Sequence, residues 1–570
     1  MKRFAGLSKL TLISLGVLAA LGAVLTVFGP NLRRLFGASA ASLASDEDEM
    51  AMRFSQDSRL QRKSLATFGD SEDSTPALEM APAPRAAPPS PPRAAAVASR
   101  TQVVQAERAE PVTTGNTHAA ERPNPFTLTT EDRFSTFAVD VDTASYALFR
   151  RYVSEGGMPP RESIRVEEWV NYFRYRYPSP EQGDFRVDLE GAPSPFTPGR
   201  HLVKVGLQGR TIAKSQRKPT HLVFLVDTSG SMASPDKLPL AQKAMKLMVD
   251  GLNESDTVAL VTYAGSVRDV LPPTPASERE KLFLAIDSLT SGGGTAMGDG
   301  LELAYRHAAK KAGSKNVARV IVLTDGDTNL GRNLSADAML ESVQGFVKEG
   351  VTLSTIGLGM GNYRDDLMER LANKGNGNCF YIDSEREARR VFQERLAGTL
   401  EVIAQDVKVQ VEFDPEAVRG YRLLGYENRA IADRDFRNDK VDAGEIGAGH
   451  TVTALYEVEL SGEGSRVATV RVRAKKPGGV EAAEQSFPLE REQLHARLSQ
   501  ASANLRFAAA VAGTADILRG APQAGDWSLA TAESLAEGAV DGMSDRAEFL
   551  GLLRRVRERH ATSVAGGIPD

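Results

Sequence analysis

His221-Leu222-Val223-Phe224-Leu225-Val226-Asp227-Thr228-Ser229-Gly230-Ser231-Met232 joins an unbroken apolar run to a short polar turn. The run from Leu222 to Val226 predicts a strand buried on both faces, as in a parallel sheet covered by helices. It stops at Asp227, and Ser229 and Ser231 follow on alternate positions with Gly230 between them. A carboxylate and two hydroxyls at the end of a buried strand are hard oxygen donors. Such donors suit Mg²⁺, Mn²⁺ or Ca²⁺ better than Zn²⁺ or Cu²⁺. Open α/β sheets also bind ligands outside the carboxyl ends of their strands. Asp-x-Ser-x-Ser alone is equally a cap or turn composition, so the reading needs further donors.

Strands and helices alternate on either side of this stretch. Helical periodicity is expected at 238–248, 277–289, 297–311, 336–349 and 364–372. Strands are expected at 257–263, 317–323, 351–357 and 380–382, with a short edge strand at 267–271. This alternation over 219–399 predicts an α/β fold with a doubly wound, mostly parallel sheet. Asp299 and Glu302 read as first-turn acids of a helix, and Asp327 as a turn residue. Cys379 reads as a buried, inert thiol.

The flanks have a different grammar. Residues 126–215 predict a small α+β module. Its first helix, through Tyr146, Phe149 and Val153, is expected to be capped by Asp142 or Thr143. Its second carries Val166, Trp169, Val170 and Phe173 on one face, and two strands follow. From 400 to 570 the alternation at Val407/Val409/Val411/Phe413, Val452–Leu460 and Val467–Val472 predicts a β-rich, sandwich-like domain with a helical tail.

Residues 1–37 contain an uncharged, mostly apolar run from Leu10 to Phe28, flanked by Lys2, Arg3 and Lys9 and by Arg33 and Arg34. Its length approaches the ~20 residues a bilayer core requires, and it exceeds the apolar centre of a cleaved signal. An uncleaved signal anchor is therefore expected, with a cleaved signal as the alternative. The excess of positive charge on the N-terminal side places the body outside the cytoplasm. Residues 38–125, rich in Ala, Pro and Ser, predict a disordered tether.

Asp227, Ser229, Ser231, Thr295 and Asp325 together resemble the metal-ion-dependent adhesion site of von Willebrand factor type A domains. In that family Asp-x-Ser-x-Ser is joined by a Thr from a later loop and an Asp after a later strand. The resemblance implies Ser229, Ser231 and Thr295 as direct ligands of Mg²⁺ (or Mn²⁺/Ca²⁺). Asp227 and Asp325 would act through water or complete the shell. It further implies a position open to a carboxylate from a protein partner. The block from Phe134 to Pro178, with Tyr426-Glu-Asn-Arg and 442–450, resembles the bacterial YfbK-type members of this family. Such a protein is expected in the bacterial inner membrane with its body in the periplasm.

Composition removes other classes. A net charge of -5 gives no basic footprint for nucleic acid. One cysteine excludes an intramolecular disulfide framework and a Cys-rich zinc site. There is no phosphate-binding Gly-x-x-x-x-Gly-Lys-Ser/Thr and no Gly-x-Ser-x-Gly nucleophile elbow. Haloacid-dehalogenase-type phosphatases carry a second Asp where this chain has Ser229. Gly357-Leu-Gly359-Met-Gly361 lacks the full dinucleotide pattern. A binding protein with no small-molecule substrate is therefore expected rather than an enzyme. The alternatives are a structural envelope protein whose ion only stabilises the fold, and a metal-assisted hydrolase.

Overall fold

The computed structural model describes residues 121–566 apart from 295–296, 314, 327–335 and 362, together with Asn116 and His118. All of these fall in one compact unit, Arg108–Asp570. The expected membrane segment and almost all of the tether lie outside the described residues. Among the described residues no helix is long and apolar enough to cross a membrane.

The chain enters through β1 (Thr127–Leu128), β2 (Phe134–Ala138), helices α1 (Ala144–Ser154) and α2 (Val166–Tyr172), then β3 (Phe185–Pro193) and β4 (Arg200–Gly209). The α/β unit follows with β5 (Thr220–Asp227), α3 (Leu238–Gly251), β6 (Thr257–Tyr263), β7 (Val267–Pro275) and α4 (Arg279–Asp287). It continues through α5 (Met297–Ala309), β8 (Val317–Thr324), α6 (Ala336–Lys348), β9 (Val351–Leu358), α7 (Asp365–Lys374) and β10 (Cys379–Ile382). Its strands lie in the order β10-β9-β8-β5-β6-β7. All neighbours are parallel except β7, which runs antiparallel to β6 at the edge. The fold is the expected doubly wound α/β sheet.

The central place of β5 explains its unbroken apolar run. Every residue of β5 is buried. Leu222, Phe224 and Val226 enter a core that includes Ala241, Met245 and Met248 of α3. Val223 and Leu225 enter the opposite core with Leu301, Ala304 and Tyr305 of α5. A polar residue at any of these positions would lose water without gaining a partner, because the backbone groups are already used by the sheet.

Beyond the α/β unit come β11 (Val402–Phe413), β12 (Val418–Leu424), β13 (Gly444–Gly447), β14 (Thr451–Leu460), β15 (Arg466–Lys475) and β16 (Ala482–Glu490). The flanks, expected as two modules, share their sheets. One sheet runs β1-β12-β14-β4-β3, and the other β13-β11-β15-β16 with β2 also paired to β11. β4 is in register with β14 from Gln208↔Thr451 to Arg200↔Glu459. Residues before and after the α/β unit therefore build one β-sandwich, and the α/β unit is an insertion between β4 and β11. Val205, Leu207, Val409, Val411, Tyr456 and Val470 lie in the sandwich core.

The helical tail completes the N-terminal helices rather than standing alone. Phe149 and Trp169 lie 4.2 Å apart by ring centroid, and Phe173 lies 4.8 Å from Phe507 of helix Ala503–Leu518. Neither Asp142 nor Thr143 caps α1, contrary to expectation. Thr143 occupies the cap position without a side-chain cap bond. Asp142 instead accepts the backbone N–H of Cys379 at 2.8 Å and a bond from Arg429 at 2.9 Å. Glu168 takes over the capping chemistry, accepting the Ser145 N–H at 2.8 Å.

Candidate metal centre

β5 delivers Asp227 to the carboxyl-end rim of the sheet, where its side chain is fully buried. One carboxylate oxygen accepts the Ser229 N–H at 2.8 Å, and the other accepts the Thr324 hydroxyl at 2.8 Å. The first bond folds the turn back on itself, an Asx-type closure that Asp favours. It sets the Ser229 and Ser231 hydroxyls 3.0 Å apart. Burial pushes the Asp227 carboxyl up to about 6 against the lowering effect of Ser229, and nearby Asp325 adds to the rise. Asp325 follows β8 directly and is also fully buried. Lys237 Nζ donates to its carboxylate at 2.9 Å.

The glycine loop before Thr295 is held against the same turn. Gly230 N–H donates to Gly293 O at 3.0 Å, and Gly292 N–H donates to Thr228 O at 2.8 Å. Gly293 has φ +89, and a Cβ there would stand 3.2 Å from the Gly265 nitrogen. A side chain at 293 would therefore strain the backbone and push the loop off its neighbour. Asp227, Ser229, Ser231 and Asp325 thus gather at one rim. Thr295 itself, like Asp327, lies outside the described residues.

The donor set fits a hard cation. Two buried carboxylates stand beside a pair of hydroxyls, and the Lys237 ammonium offsets one of the two negative charges. Among the described residues no group of three or more His, Cys, Asp or Glu side chains could hold a metal ion. Thr324 and Lys237 carry no signal in the sequence pattern. Thr324 ends an apolar strand as any residue might, and Lys237 meets Asp325 only through the fold. The glycines at 357 and 359 have packing reasons. A Cβ at Gly357 would strike the Tyr363 ring, and one at Gly359 would strike the Lys237 stem.

The "von Willebrand factor type A domain" family matches residues 221–394. A family described as "von Willebrand factor" matches 112–204, and the C-terminal family of uncharacterized protein YfbK matches 398–467 and 461–558. YfbK of Escherichia coli K12 is 38% identical over 461 residues, 75% of this chain and 79% of that protein. Inter-alpha-trypsin inhibitor heavy chain H3 of Mesocricetus auratus is 25% identical over 264 residues, 42% of this chain and 29% of that protein. Among solved structures, a von Willebrand factor type A protein from Catenulispora acidiphila overlaps 67% of this chain and 91% of its own. Its identity is 20% and its TM-score 0.40. On its identity with YfbK across most of both chains, the protein belongs to the YfbK family of von Willebrand factor type A domain proteins.

Proposed function

We propose that the protein binds a protein partner in a divalent-metal-dependent way. Asp227, Ser229, Ser231, Thr295 and Asp325 would hold Mg²⁺ (or Mn²⁺/Ca²⁺). The observation that carries this reading is the rim itself, with two buried carboxylates beside a hydroxyl pair at the end of the central strand. Asp227 orients the turn through the Ser229 amide, Thr324 fixes the Asp227 carboxylate, and the glycine loop brings the chain before Thr295 alongside. When bound, the ion would offer a partner carboxylate an oxygen-seeking position, supplying charge and directionality together. Domains of this family typically serve protein–protein contacts. The N-terminal segment 1–37 would anchor the body in the periplasm, with the tether setting its reach.

The test is thermal unfolding with Mg²⁺, with Mn²⁺ and with EDTA, for the parent and for Asp227→Ala. At about 100 times its dissociation constant an ion stabilises the folded state by about 2.7 kcal/mol. The parent is expected to melt several degrees higher with the ion, and Asp227→Ala to show no shift. Equal melting of the parent in ion and in EDTA would rule out the metal reading. An ion-dependent pulldown then separates recognition from a purely structural ion, because only recognition is lost when EDTA is added to the partner mixture.

A further inference from the structure

The ammonium at the rim is held from outside the α/β unit. Lys237 Nζ sits 2.9 Å from the Asp325 carboxylate, and both side chains are buried. Its aliphatic stem lies across Gly359, where a Cβ would overlap three of its carbons. Gly359 has φ +71, so glycine suits both the conformation and the space. Asp236, the preceding residue, accepts Arg151 of α1 at 2.6 Å and the Ser234 hydroxyl at 2.5 Å. Arg151 also donates to the Tyr381 hydroxyl at 3.0 Å, and that hydroxyl donates to Gly359 O at 2.6 Å. Arg151 therefore holds the turn bearing Lys237 on one side and the glycine floor beneath its stem on the other. The neighbouring Asn116 accepts the backbone N–H groups of Gly361 and Tyr363 at 3.0 and 3.1 Å, and donates to Tyr152 of α1 at 3.0 Å. Two pieces that precede the α/β unit in sequence thus grip the loops at its rim.

We propose that Lys237 is a built-in competitor of the divalent ion, and that Arg151 sets the strength of that competition by positioning the Asp236–Lys237 turn. The inference rests on the metal reading of the rim. Its physical basis is charge. With Asp227 and Asp325 ionised, the pair presents two negative charges, and the Lys237 ammonium cancels one. A cation entering the rim then meets a weaker field and must share Asp325 with a group already bonded to it. In a buried site such a charge acts with little screening by water. Because Arg151 belongs to α1, docking of that helix and ion binding are thermodynamically linked. Whatever loosens the helix strengthens ion binding, and the ion in turn loosens the helix's grip.

The experiment is titration calorimetry of the full-length protein with Mg²⁺, repeated with Mn²⁺, on a double-mutant cycle of Lys237→Met and Arg151→Met. Met keeps the stem that covers Gly359 and removes the charge. Lys237→Gln is a second variant that also keeps a donor for Asp325. Both Lys237 variants are expected to bind the ion about tenfold more tightly, or better. Arg151→Met should tighten binding in the parent and add little once Lys237 is gone. Melting supplies a second readout. Without ion, Lys237→Met should melt below the parent, because it removes an ammonium bonded to a buried carboxylate. Excess Mg²⁺ should recover most of that loss, whereas a purely structural lysine would leave both melting points equally low. Ion affinity in Lys237→Met and Lys237→Gln equal to or weaker than the parent's overturns the competitor. Full additivity of the two substitutions overturns the positioning role of Arg151. Absence of binding in the parent and in every variant overturns the metal reading itself, an outcome distinct from the other two.

Discussion

Replacing Arg429 by Met is expected to lower unfolding stability by about 3–5 kcal/mol near neutral pH, the usual cost of stripping one partner from a buried ion pair. Arg429 lies between β12 and β13 of the sandwich, yet it serves all three parts of the molecule. It reaches Asp140 at 3.3 Å and Asp142 at 2.9 Å on the segment before α1, and Glu369 of α7 at 3.3 Å. Arg165, which precedes α2, joins the same network through Glu168 at 3.0 Å, Asp365 at 2.5 Å and Glu369 at 3.0 Å. Asp140, Asp142, Glu168, Asp365 and Glu369 thus share Arg165 and Arg429, with His118 also 3.4 Å from Asp365. Burial pushes Asp142, Glu168 and Glu369 up from the ordinary carboxylate range, and neighbouring carboxylates add to the rise. Asp365 stays well below that range because Arg165 and then His118 outweigh its burial.

Without Arg429, the buried carboxyls of Asp142 and Glu369, already pushed up by burial, lose a cation that lowers them, and protonation relieves part of the cost. The penalty should therefore shrink as the pH falls toward about 5, where protonation costs less. Comparing chemical unfolding of the parent and the variant at both pH values checks this. A loss that is the same at both would mean that Arg429 acts through packing and not through charge. The joints should also loosen, so limited proteolysis of the variant near 210–219 and 396–402 is expected to be faster than in the parent.

The parts that were legible in the sequence are those whose cause is local. The central strand reads correctly because burial on both faces demands an unbroken apolar run, and Leu222–Val226 supplies one. Asp227, Ser229 and Ser231 stand out because they interrupt that run at its end. The interleaved sandwich was not legible. β4 and β14 pair over their length, but alternation specifies only which face is buried, not which of several alternating strands lies alongside. The edge strand β7 also runs on to Pro275, past the expected end at 271. Its outer side needs no apolar continuity, so the pattern faded before the strand did. Asp140, Asp142 and Lys237 were illegible for the same reason as the sandwich. A carboxylate near a helix start reads as a cap, and a lone lysine reads as solvated, until the fold brings their distant partners beside them.

A different buried carboxylate should make stability fall with rising pH. Glu167 of α2 is 2% exposed and accepts the Tyr426 N–H at 2.9 Å. Tyr426 stands at φ 64, after Gly425 at φ 85. A Cβ at Gly425 would come 2.6 Å from a Glu167 carboxylate oxygen, so the turn closes directly over the carboxyl. Burial first, then Glu427 and Asp140, push Glu167 up from 4.5 to about 7. In the folded protein it keeps its proton to a pH at which the unfolded chain has lost it. The folded state then binds more protons, so unfolding free energy decreases as pH rises. The contribution is fully present below about 4.5, declines between about 4.5 and 7, and is gone above, a total of about 3 kcal/mol. Glu167→Gln keeps an acceptor for Tyr426 and cannot ionise. Its stability relative to the parent should therefore climb by about 3 kcal/mol from about pH 4.5 to about pH 8, making it the more stable protein at the alkaline end. Tryptophan fluorescence is the natural probe, because Trp169 and Trp527 both lie in the helical cluster that α2 packs into. A difference that stays flat across this range would mean that Glu167 is ionised in the folded protein throughout, with the Tyr426 amide and nearby guanidinium groups outweighing its burial.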